Sequence, residues 1–209
     1  KAVDSLVESV GGQSNETPRL IKFKSGRYKK SWVNNCLAIG LSSGFLEPLE
    51  STSIYLIQAA IINFTKLFSV SPSHDVESNE FNRMMDVEYD RIRDFLILHY
   101  HLNDREDSEL WNYCREMRVP EELTEKINIF KKRGHVERYQ FGLFTVPSWV
   151  SVFNGQGVKN VGYDPFVAGL PLSEIEKVLK ETKYKIDARA DYTPLHKTFL
   201  NSYLKALQV

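Results

Sequence analysis

Residues 40–58 read GLSSGFLEPLESTSIYLIQ and gather the residue types best suited to chemistry in this chain. Two carboxylates, Glu47 and Glu50, are followed directly by three hydroxyl residues, Ser51, Thr52 and Ser53. An apolar helical pattern begins at Ile54, so the hydroxyls fall at a predicted helix amino terminus. The first turn of a helix exposes backbone N–H groups without intrahelical partners, at the positive end of the helix dipole. Such a terminus is a natural anion site. A carboxylate beside it either competes with the anion or points away and serves as a base on something held opposite. The plainer reading is an ordinary helix start, with Ser51, Thr52 or Ser53 capping the free N–H groups and a glutamate beside the first turn.

The elements that must position this segment follow from periodicity. Arg19 to Lys24 alternates as a strand, with Leu20, Ile21 and Phe23 among basic residues. Ser25-Gly26 signals a turn, and Ser31 to Ile39 reads as a second strand ending at Gly40. The expectation is a hairpin that feeds the loop, which Pro48 stiffens. From Ser51 to Phe68 the pattern is helical, and between Ile54 and Phe64 only Gln58 and Asn63 are strongly polar. A helix apolar nearly all round is buried in a larger body. The simplest source of its partner layer is sequence upstream of Lys1. Residues 1–18 carry only a weak apolar pattern (Val3, Leu6, Val7, Val10), the breaker Gly11-Gly12 and a polar loop.

The remainder reads as helices. Asn79 to Tyr100 places Phe81, Met84, Met85, Ile92, Phe95, Leu96 and His99 on one broad face. Asp107 to Met117 forms a short helix, and another runs from Pro120 to about Lys132, ended by Gly134. Pro147-Ser148 opens a short helix closing at Gly155. Leu172 to about Ala188 and Leu195 to Leu207 are terminal helices, with Ser173 and Thr193 as caps. The expected fold of these residues is mainly α-helical with a short β-hairpin, divided into residues 1–50 and 51–209.

Composition narrows the function classes. Lys+Arg and Asp+Glu both total 27, which leaves no basic footprint for nucleic acid or an acidic membrane surface. No apolar run is long enough to span a bilayer, and KAVDSLVESVGG lacks the features of a signal peptide. Cys36 and Cys114 are too few for a disulfide framework and point to a reducing cytoplasm. His99 and His101, two apart, fall on different helix faces, so no metal site is expected. Lys131-Lys132-Arg133 reads as a solvated helix end that complements the dipole. Trp149 and Phe153, four apart, share a helix face, either as core or as walls for a flat aromatic molecule.

GFLEPLESTSIYLIQ, with the lead-ins PRLIKFKSGRYKKSW and WVNNCLAIGLSSG, resembles the carboxyl-terminal part of flavin-dependent tryptophan halogenases, nearly uninterrupted over residues 18–62. SWVSVFNGQG and GYDPFVAGL further on are similar to the closing segment of indole-accepting members. The resemblance implies an intact protein with an α/β, flavin-monooxygenase-like domain carrying a helical substrate-side module. It assigns Glu50 as the base that takes the proton from the halogenated ring, and Ser51 as a hydrogen-bonding neighbour of a catalytic lysine. Thr52 and Ser53 become the pair whose backbone amides hold chloride or bromide. Ser53 stands where the family commonly has glycine, which weakens that assignment if the backbone there needs a positive φ. Gly40, Leu41, Pro48 and Ile54 become contacts to the flavin ring, and Trp149 and Phe153 become substrate contacts.

The cofactors implied are reduced FAD and a halide ion, and the partners are an aromatic substrate, a separate flavin reductase and, as an option, a second copy of the chain. The first flavin fingerprint, G-x-G-x-x-G after a strand, and the family's lysine and Trp-x-Trp-x-Ile-Pro motif are not found in this sequence. These residues alone are therefore expected neither to bind FAD tightly nor to turn over. Two alternatives stay open. A flavin-dependent aromatic hydroxylase would give product without halide, although Leu41 stands where its second flavin motif would carry an aspartate. A non-catalytic helical domain would only bind a partner. In the family's tryptophan-specific members an acidic residue meets the substrate ammonium. The matching position here falls near Tyr139, which leads to the expectation that an uncharged indole is preferred over tryptophan.

Overall fold

The computed structural model describes residues 2–11, 19–70, 73–139 and 142–207. The chain divides into two compact units, Lys1–Thr124 with Glu137–Val158, and Glu125–Val136 with Lys159–Val209. Helix dominates both, with two small antiparallel strand pairs in the first unit.

In the first unit a short helix, α1 (Ala2–Ser9), precedes the strands. Residues 19–25 form no strand, contrary to the alternation seen there. Instead β1 (Gly26–Arg27) pairs with β4 (Gly44–Phe45). The hairpin lies inside what reads as one long second strand, between β2 (Trp32–Val33) and β3 (Cys36–Leu37). Asn34, at φ 52, makes the reversal; asparagine tolerates this left-handed conformation, and Asn34-Asn35 is the turn signal that alternation overrides.

Asn82 ties this hairpin to the helical layer. Trp32 stands opposite Leu37, and the Ala38 N–H bonds the Ser31 carbonyl, so the polar groups of Trp32 face away from the partner strand. The buried Asn82 amide takes their place in the ladder. Its Oδ1 accepts from the Ser31 and Trp32 N–H groups at 2.8 and 3.0 Å, and its Nδ2 donates to the Trp32 carbonyl at 2.8 Å.

Two helices form the body of the unit, α2 (Thr52–Leu67) and α3 (Asp75–His101). Leu56 and Ala60 of α2 meet Phe81, Met85, Tyr89, Ile92 and Leu96 of α3 around Trp32. These α3 positions are spaced by three, four and seven residues, as one helix face requires. The opposite face of α2 carries Ile54, Ile57, Ile61 and Ile62, all exposed. Helices α4 (Glu109–Glu116) and α6 (Val146–Gly155) complete the unit.

Helix α5 (Glu121–Arg133) runs from one unit into the other and stops at Gly134, whose φ of 67 suits a residue without Cβ. Lys131, Lys132 and Arg133 are exposed at its end. The second unit adds α7 (Pro165–Ala168), α8 (Leu172–Tyr192) and α9 (His196–Ala206). Ser173 and Thr193 do not cap these helices at their amino ends: α8 starts after Pro171 and α9 after Leu195, neither with a side-chain cap. Thr193 instead donates its hydroxyl to the Arg189 carbonyl at the carboxyl end of α8. No helix among the described residues is long and apolar enough to cross a membrane.

Candidate functional site

The segment from Gly40 to Ile54 is built as a succession of tight turns. Gly40, at φ 68, opens a single helical turn through Ser42. A Cβ at Gly40 would come within 3.1 Å of Ile57 Cγ1, so both conformation and space favour glycine. Buried Ser43 closes the turn: its backbone N–H and its hydroxyl both donate to the Gly40 carbonyl, at 2.9 and 2.8 Å. Its oxygen then accepts from the Tyr89 hydroxyl of α3 at 3.0 Å.

Glu47 is held from the same helix. The Tyr100 hydroxyl donates to Glu47 Oε2 at 2.9 Å, while Tyr100 stacks on Trp111 at 6.0 Å between centroids. Burial, and then the hydrogen bond to Glu47, raise the Tyr100 pKa, so the phenol stays protonated as the donor. Of the two loop carboxylates, Glu47 is thus the fastened one.

Glu50 is the other kind. It sits in a second short turn, Leu49–Ser51, with φ 62 and ψ 6, and Ser51 follows at φ 52 and ψ 32. Two consecutive left-handed residues with side chains cost about 1–2 kcal/mol each. The Glu50 side chain is 43% exposed, and its Oε1 lies 3.6 Å from His99 Nε2 of α3. The other His99 ring nitrogen, Nδ1, donates to the Phe95 carbonyl at 2.8 Å.

Helix α2 begins directly after this pair. Ser51 occupies the N-cap position but makes no side-chain cap hydrogen bond, contrary to the capping expected of the hydroxyl run. Its left-handed backbone is the reason, because a capping side chain works from an extended conformation. Thr52 is fully buried, and its Oγ1 has no hydrogen-bond partner among the described residues. Ser53 lies inside α2 and is not among the residues with positive φ, so the Cβ that distinguishes it from glycine meets no backbone penalty. Leu41 and Ile54 are 73% and 63% exposed, and Pro48 is exposed as well. The segment therefore brings together a half-exposed carboxylate beside His99, an uncapped helix terminus and exposed apolar side chains.

Trp149 and Phe153 do share one face of α6, and both are buried. Trp149 meets the Phe95 ring edge-on at 4.9 Å, and Phe95 in turn stacks on Phe144 at 3.7 Å. Core packing is thus what the structure gives them. The neighbouring cleft, of about 640 Å³, is lined instead by Arg138, Tyr139, Phe144, Thr145, Val146 and Pro147 with Gly142. Periodicity points to no functional role for Tyr100 or Phe144 and leaves His99 only as half of a rejected metal pair, while Tyr139 is reached through the register of the resemblance alone.

A family model, Tryptophan halogenase, matches residues 1–171. A tryptophan 7-halogenase of a Kutzneria species is 36% identical over 124 residues, which is 59% of this chain and 23% of that enzyme. Among solved structures, a flavin-dependent halogenase of Xanthomonas campestris superposes with a TM-score of 0.88 at 35% identity, over 97% of this chain and 41% of the other. A second, from a Brevundimonas species, gives a TM-score of 0.81 at 41% identity, over 91% of this chain and 39% of the other. The chain spans less than half the length of each of these relatives.

Proposed function

The chain belongs to the tryptophan halogenase family, and on that premise we propose that it is the carboxyl-terminal part of an FADH2-dependent enzyme that halogenates an indole-like aromatic ring. Residues 1–50 are proposed to end the flavin-binding domain, and residues 51–209 to form the substrate-side module. The intact enzyme would be cytoplasmic and supplied with reduced flavin by a separate reductase.

The observation that carries the reading is the left-handed pair Glu50–Ser51 before an uncapped helix. Backbone strain of this kind persists only where surrounding structure enforces it, and it clusters at functional sites. Here it keeps the Ser51 side chain from capping α2, leaving first-turn N–H groups for an anion. Thr52 and Ser53 would hold the halide there by their backbone amides, beside the buried Thr52 hydroxyl. Leu41, Pro48 and Ile54 fit an apolar ring system, with Gly40 shaping the approach, and are proposed as flavin contacts. Reduced FAD, when bound, supplies with oxygen the oxidising equivalents that make halide electrophilic.

What the chain's own residues do comes after halogen transfer. Glu50 takes the proton from the halogenated ring carbon, the C–H electron pair returns to the ring, and aromaticity is restored. Ser51 lies beside it to hydrogen-bond the lysine that the family supplies from outside these residues. Tyr139 and Phe144 offer aromatic faces to the substrate, and Trp149, with Phe153 beside it, backs that wall through Phe95. The described residues that line the cleft include no carboxylate for the ammonium of free tryptophan. Leaving such a charge unpaired is costly, which favours an uncharged indole.

The test is halide dependence. The full-length protein, given FAD, a flavin reductase, NADH, oxygen and indole, should form a monobrominated product only when bromide is present. An oxygenated product formed equally with and without bromide would overturn the reading in favour of a hydroxylase.

A further inference from the structure

The contact between His99 and Glu50 has a direction that the hydrogen bonds determine. A carbonyl oxygen can only accept, so His99 Nδ1, 2.8 Å from the Phe95 carbonyl, carries a hydrogen. In the neutral ring the other nitrogen, Nε2, is then a bare lone pair, and it is this nitrogen that lies 3.6 Å from Glu50 Oε1. The ring also meets the Phe95 ring in a T-shaped contact, 4.8 Å between centroids, and Gln156 Nε2, just beyond α6, donates to the backbone carbonyl of His99 at 3.2 Å. The imidazole side chain is mostly buried, whereas Glu50 is the more exposed partner.

We infer that His99 acts through Glu50, receiving its proton after each turnover. The inference rests on the reading of Glu50 as the base. Before proton abstraction the Nε2 lone pair and the Glu50 carboxylate are both acceptors, so no hydrogen bond ties Oε1 to the ring and the carboxylate can face the substrate. Afterwards the protonated carboxyl turns its O–H to His99 Nε2; the O–H bond breaks, an N–H bond forms, and an imidazolium–carboxylate pair results. The proton then passes to solvent from the ring, and Glu50 is again ionised for the next cycle. No oxidant or other reactant takes part. A separation of 3.6 Å is compatible with this transfer, because catalytic hydrogen bonds often shorten once the substrate is in place.

The experiment uses the full-length enzyme with FAD, a flavin reductase, bromide and indole, and compares wild type with His99→Ala, His99→Gln and Glu50→Gln. His99→Ala should lower kcat by about 10- to 100-fold, less than the 10²–10⁴ range of a direct base, with the KM values for indole and bromide unchanged. Added imidazole should restore part of that kcat, and should do nothing for Glu50→Gln. His99→Gln keeps hydrogen-bonding groups but cannot accept a proton, so it should stay slow; if His99→Ala does not fold, this variant alone decides. A wild-type kcat in His99→Gln overturns the inference, as does a slow His99→Ala that imidazole leaves unchanged. If Glu50→Gln is itself as fast as wild type, the reading of Glu50 falls, and the two failures are distinguished.

Discussion

Replacing Asn82 with Ala should loosen the hairpin that leads into the Gly40–Ile54 segment without touching any residue of that segment. Asn82 makes three hydrogen bonds to the backbone of Ser31 and Trp32, at 2.8, 3.0 and 2.8 Å. Each is worth a net of about 0.5–1.5 kcal/mol, and removal leaves backbone groups beside a buried tryptophan without partners. The sum is about 3 kcal/mol, which corresponds to roughly a 100-fold change in a local opening equilibrium. Amide hydrogen exchange, read by mass spectrometry on peptides covering residues 31–39, is the suitable assay because it reports local opening whatever the stability of the rest. Those amides should exchange about 100-fold faster in Asn82→Ala. Peptides from α5 should exchange as before. A change below about threefold in residues 31–39 would refute the idea that Asn82 substitutes for a strand at this edge.

Other consequences follow from buried polar groups. Thr52→Val removes a fully buried hydroxyl that has no hydrogen-bond partner among the described residues, so in halide-free buffer it should stabilise the protein by about 1 kcal/mol. The same variant should raise the bromide concentration needed for half-maximal rate; a variant that is destabilised, with unchanged bromide dependence, would contradict both statements. Burial pushes the Glu88 carboxyl above its usual pKa, although the Tyr55 hydroxyl that donates to it at 3.0 Å and nearby Arg91 pull the other way. A raised carboxyl pKa in the folded state contributes stability at low pH that is lost as pH rises through that value. Glu88→Gln should therefore be more stable than wild type at about pH 7 and show little difference at about pH 4 in thermal unfolding. A gain that is the same at both pH values would exclude burial of the charge as its cause.

The helices were legible because their signals are local. Capping boundaries aside, the α2, α3 and α6 patterns in the sequence correspond to the helices found, and Gly134 ends α5 as a left-handed residue should. The strands were not, because their pairing is decided elsewhere. β1 finds its partner at Gly44–Phe45 across the hairpin, and the hairpin edge is completed by Asn82, 50 residues from Trp32. Neither partner leaves a mark in the alternation of residues 19–39. The chemical segment divides in the same way. The anion-ready helix start and the two glutamates can be read from residue types. The distinction between them cannot: Tyr100 fastens Glu47, and nothing in the pattern foretells that Glu50 and Ser51, neither of them glycine, adopt left-handed backbones. Trp149 and Phe153 were correctly placed on one face, but periodicity alone does not separate a core face from a ligand wall. Phe95, edge-on to Trp149 and itself stacked on Phe144, makes it core.

The central claim is that Glu50 is the base of an aromatic halogenation, and the most direct measurement of it is the bromination rate of full-length Glu50→Gln beside its flavin and bromide affinities. The account predicts a kcat lower by about two to four decades, with both affinities close to wild type, since Gln keeps the side chain's size while losing its capacity to take a proton. A Glu50→Gln enzyme that brominates indole at the wild-type rate would contradict it.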